Sequence, residues 1–413
     1  TTSGGASGAS VPGSSDDVIF DGGGSKTGGV IIDAAVNVIS ITATAGYTAA
    51  GANDGHIDNA TNDQAITVSG NVTLDNKQVS MGTATWTVSG NWDSADVTTL
   101  NHNSSTLIMD GTGKTFTAAD VYGCRVNLTI ANGASIQVGA KLNIASIRDL
   151  NVIGTLTIPV GITLSSSYNS SMSISGTITG SGTFRLSMGS LTTMSGTLNV
   201  AQFIVWTGTN ANNYSIVPAQ YDSATVTFQT YVATGEINFS SGTYIFTGNV
   251  NFNNRVTGNS ITFDNSANPN FEFRGNVTVS LIGTGTITWT KGTGTITLGN
   301  NASDGTQTIN FLDKNIEDMV INAPGDTKQL TANVTVDTLT ETAGTLNRNG
   351  YTITVLEGSD TTPPVRSAGS PTGTLASGTT QATLSLTTSE NATCRYSTTL
   401  GTSYSSMTGA FTT

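Results

Sequence analysis

The sequence predicts an all-β protein whose main body is a β-solenoid, that is, a parallel β-helix of stacked coils. Three observations support this prediction: a composition that favours strands and turns, short stretches of alternating apolar residues, and internal echoes at the length of one coil. The competing architecture is a series of tandem β-sandwiches, because evenly spaced short strands are typical of sandwiches as well.

Composition argues against helix, disorder and collagen. The chain has 413 residues, of which 48 are glycine, 10% are charged and 36% are apolar. It is rich in Thr, Ser, Asn, Val and Ile, which favour strands and tight turns over helices. Disorder normally requires few aliphatic and aromatic residues, yet these recur along the whole chain. Collagen requires glycine at every third position, and the sequence has no such register.

Charge excludes two further classes of protein. The formal net charge is −12, and the 15 basic residues are scattered singly. Nucleic-acid binding would require clustered Lys and Arg, so we expect no nucleic-acid partner. No run of apolar residues approaches the about 18 that a membrane helix needs, so we expect no membrane span.

Internal repeats are the most informative feature of the chain. ITVSGNV at 66–72 recurs as WTVSGNW at 86–92, an offset of 20 residues, and FTGNVNF at 246–252 recurs as FRGNVTV at 273–279, an offset of 27. Each copy joins two alternating strands through Gly-Asn. Since glycine and asparagine tolerate left-handed backbone conformations, we interpret each Gly-Asn as a corner between short strands. A period of this length is typical of solenoid coils.

The strand patterns agree with inward packing of alternate residues. In the segment 150–164 five aliphatic residues are predicted to face the interior: Ile153, Leu156, Ile158, Ile162 and Leu164. At about 23 residues per coil the body would contain about 15 coils, and at about 4.8 Å per coil it would be about 70 Å long.

Composition also predicts the domain boundaries. Residues 1–15 form a flexible Gly/Ser-rich N-terminal arm, and 16–357 form the solenoid body. Residues 358–371 form a linker that contains the Pro-Pro pair, which stiffens it. Residues 372–413 form a separate β segment.

Two parts of the chain resemble known protein regions. The segment 372–399, with TSENATCRYS at 388–397, resembles the start of the immunoglobulin-like modules of large secreted bacterial proteins. A complete module takes about 100 residues, so the resemblance implies an incomplete immunoglobulin-like β-sandwich. The first part resembles the repetitive, β-helical regions of large bacterial cell-surface and secreted proteins, in VPGSSDDVIFDGGG (11–24), DAAVNVISITATAGYT (33–48), LNHNSSTLIMDGTGKTF (100–116) and NLTIANGASIQVG (127–139). This resemblance implies an extracellular or cell-surface location and an adhesive or structural role.

Few residues are candidates for chemistry. His56 and His102 are the only histidines, and neither has a serine elbow or cysteine at recognisable spacing, so we interpret both as exposed loop residues and predict no catalytic or cofactor-binding site. The loop 51–63 carries Asp54, Asp58 and Asp63, and oxygen-rich loops can hold calcium. Because the D-x-D-x-D-G spacing is absent, we favour a solvated turn and keep calcium as the alternative.

An enzyme that degrades acidic polysaccharides is the catalytic alternative. Such sites require carboxylates and basic residues clustered on one strand face, whereas here both are thinly spread. The arginines that could align across coils are Arg125, Arg148, Arg185, Arg255 and Arg274. The stretch 283–297 has T-x-T spacing that would place hydroxyls on one exposed face, although threonine is also an ordinary strand residue.

We therefore expect a non-enzymatic extracellular structural protein, a bacterial surface or filament-forming subunit. A solenoid has open ends, and neither end of this sequence shows a capping helix. Head-to-tail association into a homopolymer, with a terminal segment lending a strand to its neighbour, would cover both ends. The first alternative is a surface adhesin that binds glycans through an exposed stripe of Trp and Tyr; the four tryptophans are Trp86, Trp92, Trp206 and Trp289. The second is the polysaccharide-degrading β-helix.

Overall fold

The structure is a computed structural model, and two compact units divide the chain at residue 356/357. The described residues are 12–23, 28–48, 55–118, 126–140, 144–166, 170–187, 189–207, 214–230, 234–255, 257–281, 284–300, 305–356, 366–388 and 393–410. Within these ranges there is no α-helix, and no helix is long and apolar enough to cross a membrane.

The first unit, Thr1–Leu356, is a parallel β-solenoid of about 13 turns, fewer than the about 15 that the repeat length predicts. The strands of residues 12–118 are β1 (Asp17–Phe20), β2 (Val30–Ile31), β3 (Val36–Val38), β4 (Ser40–Ala43), β5 (His56–Asp58), β6 (Ile66–Val68), β7 (Val72–Leu74), β8 (Gln78–Ser80), β9 (Thr85–Val88), β10 (Trp92–Ser94), β11 (Thr99–Asn101), β12 (Thr106–Met109) and β13 (Thr112–Ala118). Those of residues 126–230 are β14 (Asn127–Ile130), β15 (Ser135–Ala140), β16 (Ile144–Ile147), β17 (Leu150–Val152), β18 (Thr155–Thr157), β19 (Thr163–Ser166), β20 (Ser170–Ile174), β21 (Thr177–Ser187), β22 (Gly189–Met194), β23 (Thr197–Thr207), β24 (Tyr214–Ile216), β25 (Gln220–Tyr221) and β26 (Thr225–Thr230).

The remaining strands of this unit complete the stack. They are β27 (Thr234–Phe239), β28 (Gly242–Phe246), β29 (Asn249–Asn254), β30 (Ser260–Asp264), β31 (Pro269–Phe273), β32 (Val277–Leu281), β33 (Thr286–Thr290), β34 (Thr295–Gly299), β35 (Thr306–Asn310), β36 (Asn315–Ile316), β37 (Asp318–Leu330), β38 (Val334–Val336), β39 (Leu339–Asn347) and β40 (Ile353–Val355). Together, the described strands β1–β40 form five parallel sheets, of which the largest has 21 strands and the next has eight.

The repeats seen in the sequence are successive coils. Trp92 pairs with Val72, 20 residues earlier, as the echo between 66–72 and 86–92 predicts. Phe273 pairs with Phe246 and Val277 with Val250, each 27 residues apart, in agreement with the second echo. The predicted solenoid is therefore confirmed, and the tandem sandwiches are not observed in this unit.

Alternate residues of each strand fill one continuous core. In its C-terminal half this core contains a ladder of stacked aromatic rings, one from each coil. The rings of Tyr221 and Phe246 lie 5.4 Å apart at 18°, and those of Phe246 and Phe273 lie 5.5 Å apart at 11°. Phe184 and Phe203 extend the same stack toward the N-terminus. Stacking in register follows from parallel pairing, because it places equivalent side chains of adjacent coils above one another.

One prediction about the core is wrong. Leu156, Ile158 and Leu164 are buried as expected, but Ile153 is 42% exposed and Ile162 is only half-buried. Ile153 lies in the corner after β17 rather than in a strand, so the alternation that points side chains inward does not extend to it.

The Gly-Asn corners exist, but glycine serves there for a different reason from the one predicted. Gly70 and Gly90 do not adopt left-handed φ angles. Instead, the backbones of successive corners lie so close together that a Cβ has no room. The absence of a side chain, rather than conformational freedom, explains glycine at these positions.

The asparagines of the corners link one coil to the next. Asn71 Oδ1 accepts a hydrogen bond of 2.9 Å from the backbone N–H of Asn91, and Asn91 Oδ1 accepts one of 2.9 Å from Thr115 N–H. In the C-terminal half, Asn249 accepts from Asn276 N–H and Asn276 accepts from Thr308 N–H. These side chains satisfy backbone donors at corners where the strand ladder is interrupted.

The second unit, Glu357–Thr413, is small and antiparallel in its described residues. Its strands are β41 (Arg366–Ser370), β42 (Ser385–Thr388), β43 (Arg395–Tyr396) and β44 (Gly409–Ala410), with a 3₁₀ helix at Tyr404–Ser406. They form two two-stranded sheets, β41 with β42 and β43 with β44. These sheets are antiparallel, but they do not establish the predicted immunoglobulin-like sandwich. Most of the predicted linker 358–371, namely residues 358–365, lies outside the described residues.

Candidate functional site

The predicted calcium loop is partly described, and its carboxylates are engaged in turns. Asp54 lies outside the described residues. Asp58 Oδ1 accepts from the N–H groups of Ala60 (2.8 Å) and Thr61 (3.2 Å), and its Oδ2 accepts from the Thr61 hydroxyl at 2.7 Å. Burial alone would raise the pKa of Asp58, but these hydrogen bonds and the nearby His56 outweigh it, so the pKa is lowered.

The Asp63 carboxylate also accepts a hydrogen bond from the backbone of the neighbouring coil. Asp63 has a left-handed φ of 50°, and its Oδ1 accepts a hydrogen bond of 2.5 Å from Thr83 N–H. In the part of the chain that the structure describes, no group of three or more His, Cys, Asp and Glu residues is arranged to hold a metal ion. The described carboxylates of the loop thus act as turn and coil-linking acceptors.

Both histidines are half-buried rather than exposed, and His56 lies in a strand, whereas His102 lies in a loop as predicted. His56 begins β5, and its Nε2 lies 3.0 Å from Ser80 Oγ on β8 of the next coil. His102 Nε2 lies 3.1 Å from Arg148 Nη1. Burial lowers the pKa of His102, Arg148 lowers it further, and Asp149 partly opposes both. The two histidines lie on different coils and do not combine into one site.

The arginines considered for a polysaccharide-cleaving site contact different partners. Arg125 lies outside the described residues, and Arg148 lies beside His102. Arg185 stacks over Trp206 with its Cζ 4.8 Å from the ring centroid, whereas Arg274 donates a 2.6 Å hydrogen bond to Glu272. Arg148, Arg185 and Arg274 thus each contact a different partner.

The tryptophans do not form an exposed stripe. Trp86, Trp92 and Trp289 are buried in the core, and only Trp206 is half-exposed. In the T-x-T stretch, Thr286, Thr288 and Thr290 of β33 do point outward.

One buried carboxylate lies at a corner of the core, and the sequence did not lead us to predict it. Glu317 is buried, and its Oε1 accepts hydrogen bonds from Asn265 Nδ2 (2.8 Å) and Gly292 N–H (3.1 Å). Its Oε2 accepts from Trp289 Nε1 at 3.0 Å. The three donors come from two preceding coils, so this carboxylate joins three coils through their interior.

A second buried polar corner lies near the C-terminal end of the solenoid. The side chains of Gln307, Asp326 and Lys328 are all buried. Lys328 Nζ donates to Gly299 O at 2.6 Å and to Gln307 Oε1, and it lies 3.6 Å from Asp326 Oδ2. Asp326 Oδ1 in turn accepts from Gly305 N–H at 3.2 Å.

The alternation of inward and outward residues within these strands indicates that this corner is buried. In β37 Leu330 faces the core, and Lys328, two residues earlier, faces the same side. Gln307 has the same relation to Ile309 in β35. Sequence reasoning passed over both residues because lysine and glutamine normally lie at the surface.

In the described residues, the strands of the end coils pair on one side only, as do inner strands at which a sheet begins or ends, such as β11, β22, β24, β33 and β36. In the described residues, β1, β2 and β3 each pair on one side only, with β4, β5 and β6 respectively, and β40 pairs only with β38. Exposed apolar side chains accompany these edges. At the N-terminal end they are Ile19, Ile31 and Ile39, and at the C-terminal end they are Tyr351, Val355 and Leu356.

Comparison of the chain with protein-family models, curated proteins and solved structures found no match. The class that the fold defines is a parallel β-solenoid repeat protein with almost no helix.

Proposed function

We propose that this protein is a non-enzymatic, extracellular structural subunit that assembles head to tail through the end coils of its solenoid. The observation that carries the proposal is that, among the described residues, β2 and β3 at one end and β40 at the other each pair with a single strand, and exposed aliphatic side chains lie near both ends. An open strand edge presents free N–H and C=O groups and is a ready template for another strand. A second copy stacked end-on would pair both edges and remove apolar surface from water.

The two end regions share a sequence echo, which supports end-on continuation. DAAVNVISITATAGY at 33–47 aligns with TANVTVDTLTETAGT at 331–345, and the aligned valines form β3 near one end and β38 near the other. The strands that follow are β4 and β39, and both belong to the 21-stranded sheet. A neighbouring copy can therefore continue the stack with the parallel pairing already used inside the solenoid.

The proposed extracellular location is supported by composition and by resemblance rather than by the strand edges. The low content of charged residues and the resemblance of the quoted segments to repetitive regions of bacterial surface proteins favour an extracellular or cell-surface site. A neutral hydroxylated exterior also suits stacked coils, because parallel stacking would place equal charges close together.

Sedimentation and negative-stain microscopy over a range of protein concentrations test the assembly. We expect filaments or a concentration-dependent oligomer from the native sequence. Ile31→Lys, at a residue 57% exposed on β2, which pairs with β5 on one side, is expected to abolish them. Val160→Lys is the matched control, because Val160 is 78% exposed in the middle of the stack. Strictly monomeric rods at every concentration would contradict the assembly.

The alternatives have their own readouts. The Ile31→Lys variant, as a monomer, is applied to a glycan array and to acidic polysaccharides with calcium present. Saturable glycan binding without self-assembly would favour the adhesin, and release of unsaturated or shortened products would favour the enzyme. Neither result is expected.

A further inference from the structure

The buried corner of Gln307, Asp326 and Lys328 contains the components of an amide exchange reaction. Lys328 Nζ is an amine, Gln307 supplies a carboxamide, and Asp326 supplies a carboxyl group that can carry a proton. All three side chains are buried, and Nζ contacts Gln307 Oε1 and lies 3.6 Å from Asp326 Oδ2. Among the described residues, Asp326 is the titratable group in contact with Nζ.

Register brings the amine and the carboxamide together. Gln307 of β35 pairs directly with Lys328 of β37, and both side chains point into the core. The next pair in the same register is Ile309 with Leu330, and Leu346 pairs with Lys328 from the following coil. These apolar side chains flank the polar groups and help to exclude water.

The contact also places the amine close to the reactive carbon. A carbonyl carbon lies about 1.23 Å from its oxygen, so an amine that contacts the oxygen lies about 3–4 Å from the carbon. Reacting atoms held about 3–3.5 Å apart gain a large rate advantage from proximity.

We propose that Lys328 and Gln307 form an intramolecular isopeptide bond, with Asp326 as the proton-transfer group. The Lys328 Nζ lone pair attacks Gln307 Cδ, which forms the Nζ–Cδ bond. Asp326 accepts a proton from Nζ and delivers it to Gln307 Nε2. The Cδ–Nε2 bond then breaks, and Nε2 leaves as ammonia. One amide replaces another, so the reaction requires no oxidant, reductant or external reactant.

Burial favours the chemistry because it lowers the pKa of Lys328, which increases the fraction of neutral, nucleophilic amine. Asp326 is the largest opposing influence on that pKa, and it is also the group that takes the proton. The resulting bond would join adjacent coils near the C-terminal end of the solenoid. This inference does not depend on head-to-tail assembly.

Intact mass spectrometry of the denatured full chain tests the proposal. We expect a mass one ammonia below that of the sequence, and a digest that contains one peptide joined between Gln307 and Lys328. A folded native chain at its full sequence mass would overturn the proposal, whatever the variants do.

Three variants distinguish the bond from other losses of ammonia. Lys328→Arg is expected to keep the full mass, whereas a backbone succinimide at an Asn-Gly pair would persist in it and contradict the assignment. Asp326→Asn is expected to slow the mass change about 100-fold after refolding, the usual size of a proton-transfer contribution. Gln307→Glu is expected to lose water instead of ammonia, because the leaving group is then a hydroxyl.

Discussion

Gly90 lies directly against Gly70 of the preceding coil. A Cβ built on Gly90 would lie 2.1 Å from both the carbonyl carbon and the carbonyl oxygen of Gly70. The same relation recurs between Gly196 and Gly176, where the Cβ would lie 1.9 Å from the carbonyl oxygen. Corners that stack backbone on backbone leave no space for a side chain.

Gly90→Ala is therefore expected to destabilise the solenoid. The new methyl group must displace backbone rather than a flexible side chain, so the free energy of unfolding should fall by at least about 1–3 kcal/mol. Gly28→Ala is the control, because nothing lies within 4 Å of its Cβ position and its φ is not left-handed. Denaturant midpoints of the two variants make the comparison, and equal midpoints would show that the corner can relax.

The asparagine ladder predicts a rescue experiment. Asn91→Ala removes the acceptor for Thr115 N–H and should lower the free energy of unfolding by about 0.5–1.5 kcal/mol. Asn91→Asp keeps an acceptor oxygen at the same place and should recover most of that loss. Chemical denaturation of both variants measures the difference. If aspartate is as destabilising as alanine, the hydrogen bond is not the source of the effect.

The aromatic stack predicts a large loss at one ring. Phe246 is stacked between Tyr221 and Phe273 and is fully buried. Phe246→Ala should reduce the free energy of unfolding by about 3–5 kcal/mol, because it removes apolar contact and leaves a cavity. Phe246→Leu should lose less, since it fills part of the space. A loss no larger than that of Val160→Ala at the surface would contradict the role of the stack.

Two buried tyrosines predict a sensitivity to alkali. Tyr244 donates to Ile216 O at 2.8 Å, and burial raises its pKa from 10.0 to about 12. Burial also raises the pKa of Tyr221, and the nearby Tyr244 adds to that rise. Because the folded pKa values are raised, the stabilisation is complete below pH 10 and is lost as the pH rises above 10, where the unfolded phenols ionise.

Tyr244→Phe tests this assignment. The variant should lose about 1 kcal/mol at neutral pH with its hydrogen bond, yet its further loss between pH 10 and 12 should be smaller than that of the native chain by up to about 3 kcal/mol. Tyr351→Phe, at an exposed ring, should retain the native alkaline profile. Thermal melts at graded pH provide the measurement, and parallel profiles for all three proteins would exclude buried phenols as the cause.

Sequence patterns predicted the coil repeat more accurately than they predicted whether individual side chains face inward or outward. The echo between 66–72 and 86–92 anticipated the pairing of Trp92 with Val72, because a coil repeat places like residues in register. Alternation failed at Ile153, which lies in a corner where the inward and outward rule does not apply. Alternation also places Lys328 on the inner face of its strand, but a lysine between polar neighbours is normally interpreted as a surface residue. Its burial becomes evident only when its neighbours in the adjacent coils are known.

The predicted sites show the same limit. Asp58 and Asp63 were predicted to belong to an oxygen-rich loop. In the structure, Asp58 accepts a hydrogen bond from a backbone N–H in its own turn, and Asp63 accepts one from a backbone N–H of the adjacent coil. The immunoglobulin-like prediction for 372–413 remains a prediction, because the described strands there form only two small antiparallel sheets.

The sequence alone determined the class of fold, since strand-forming residues, turn residues and a coil-length repeat are properties of the chain that do not depend on its neighbours. Only the tertiary structure decided why glycine occupies the corners, which rings stack, and that Gln307, Asp326 and Lys328 share one buried space. The reason is physical: contacts in a solenoid form between coils about 20–30 residues apart in sequence. The identity of a side chain's neighbours is therefore set by register and corner geometry, which local sequence does not specify.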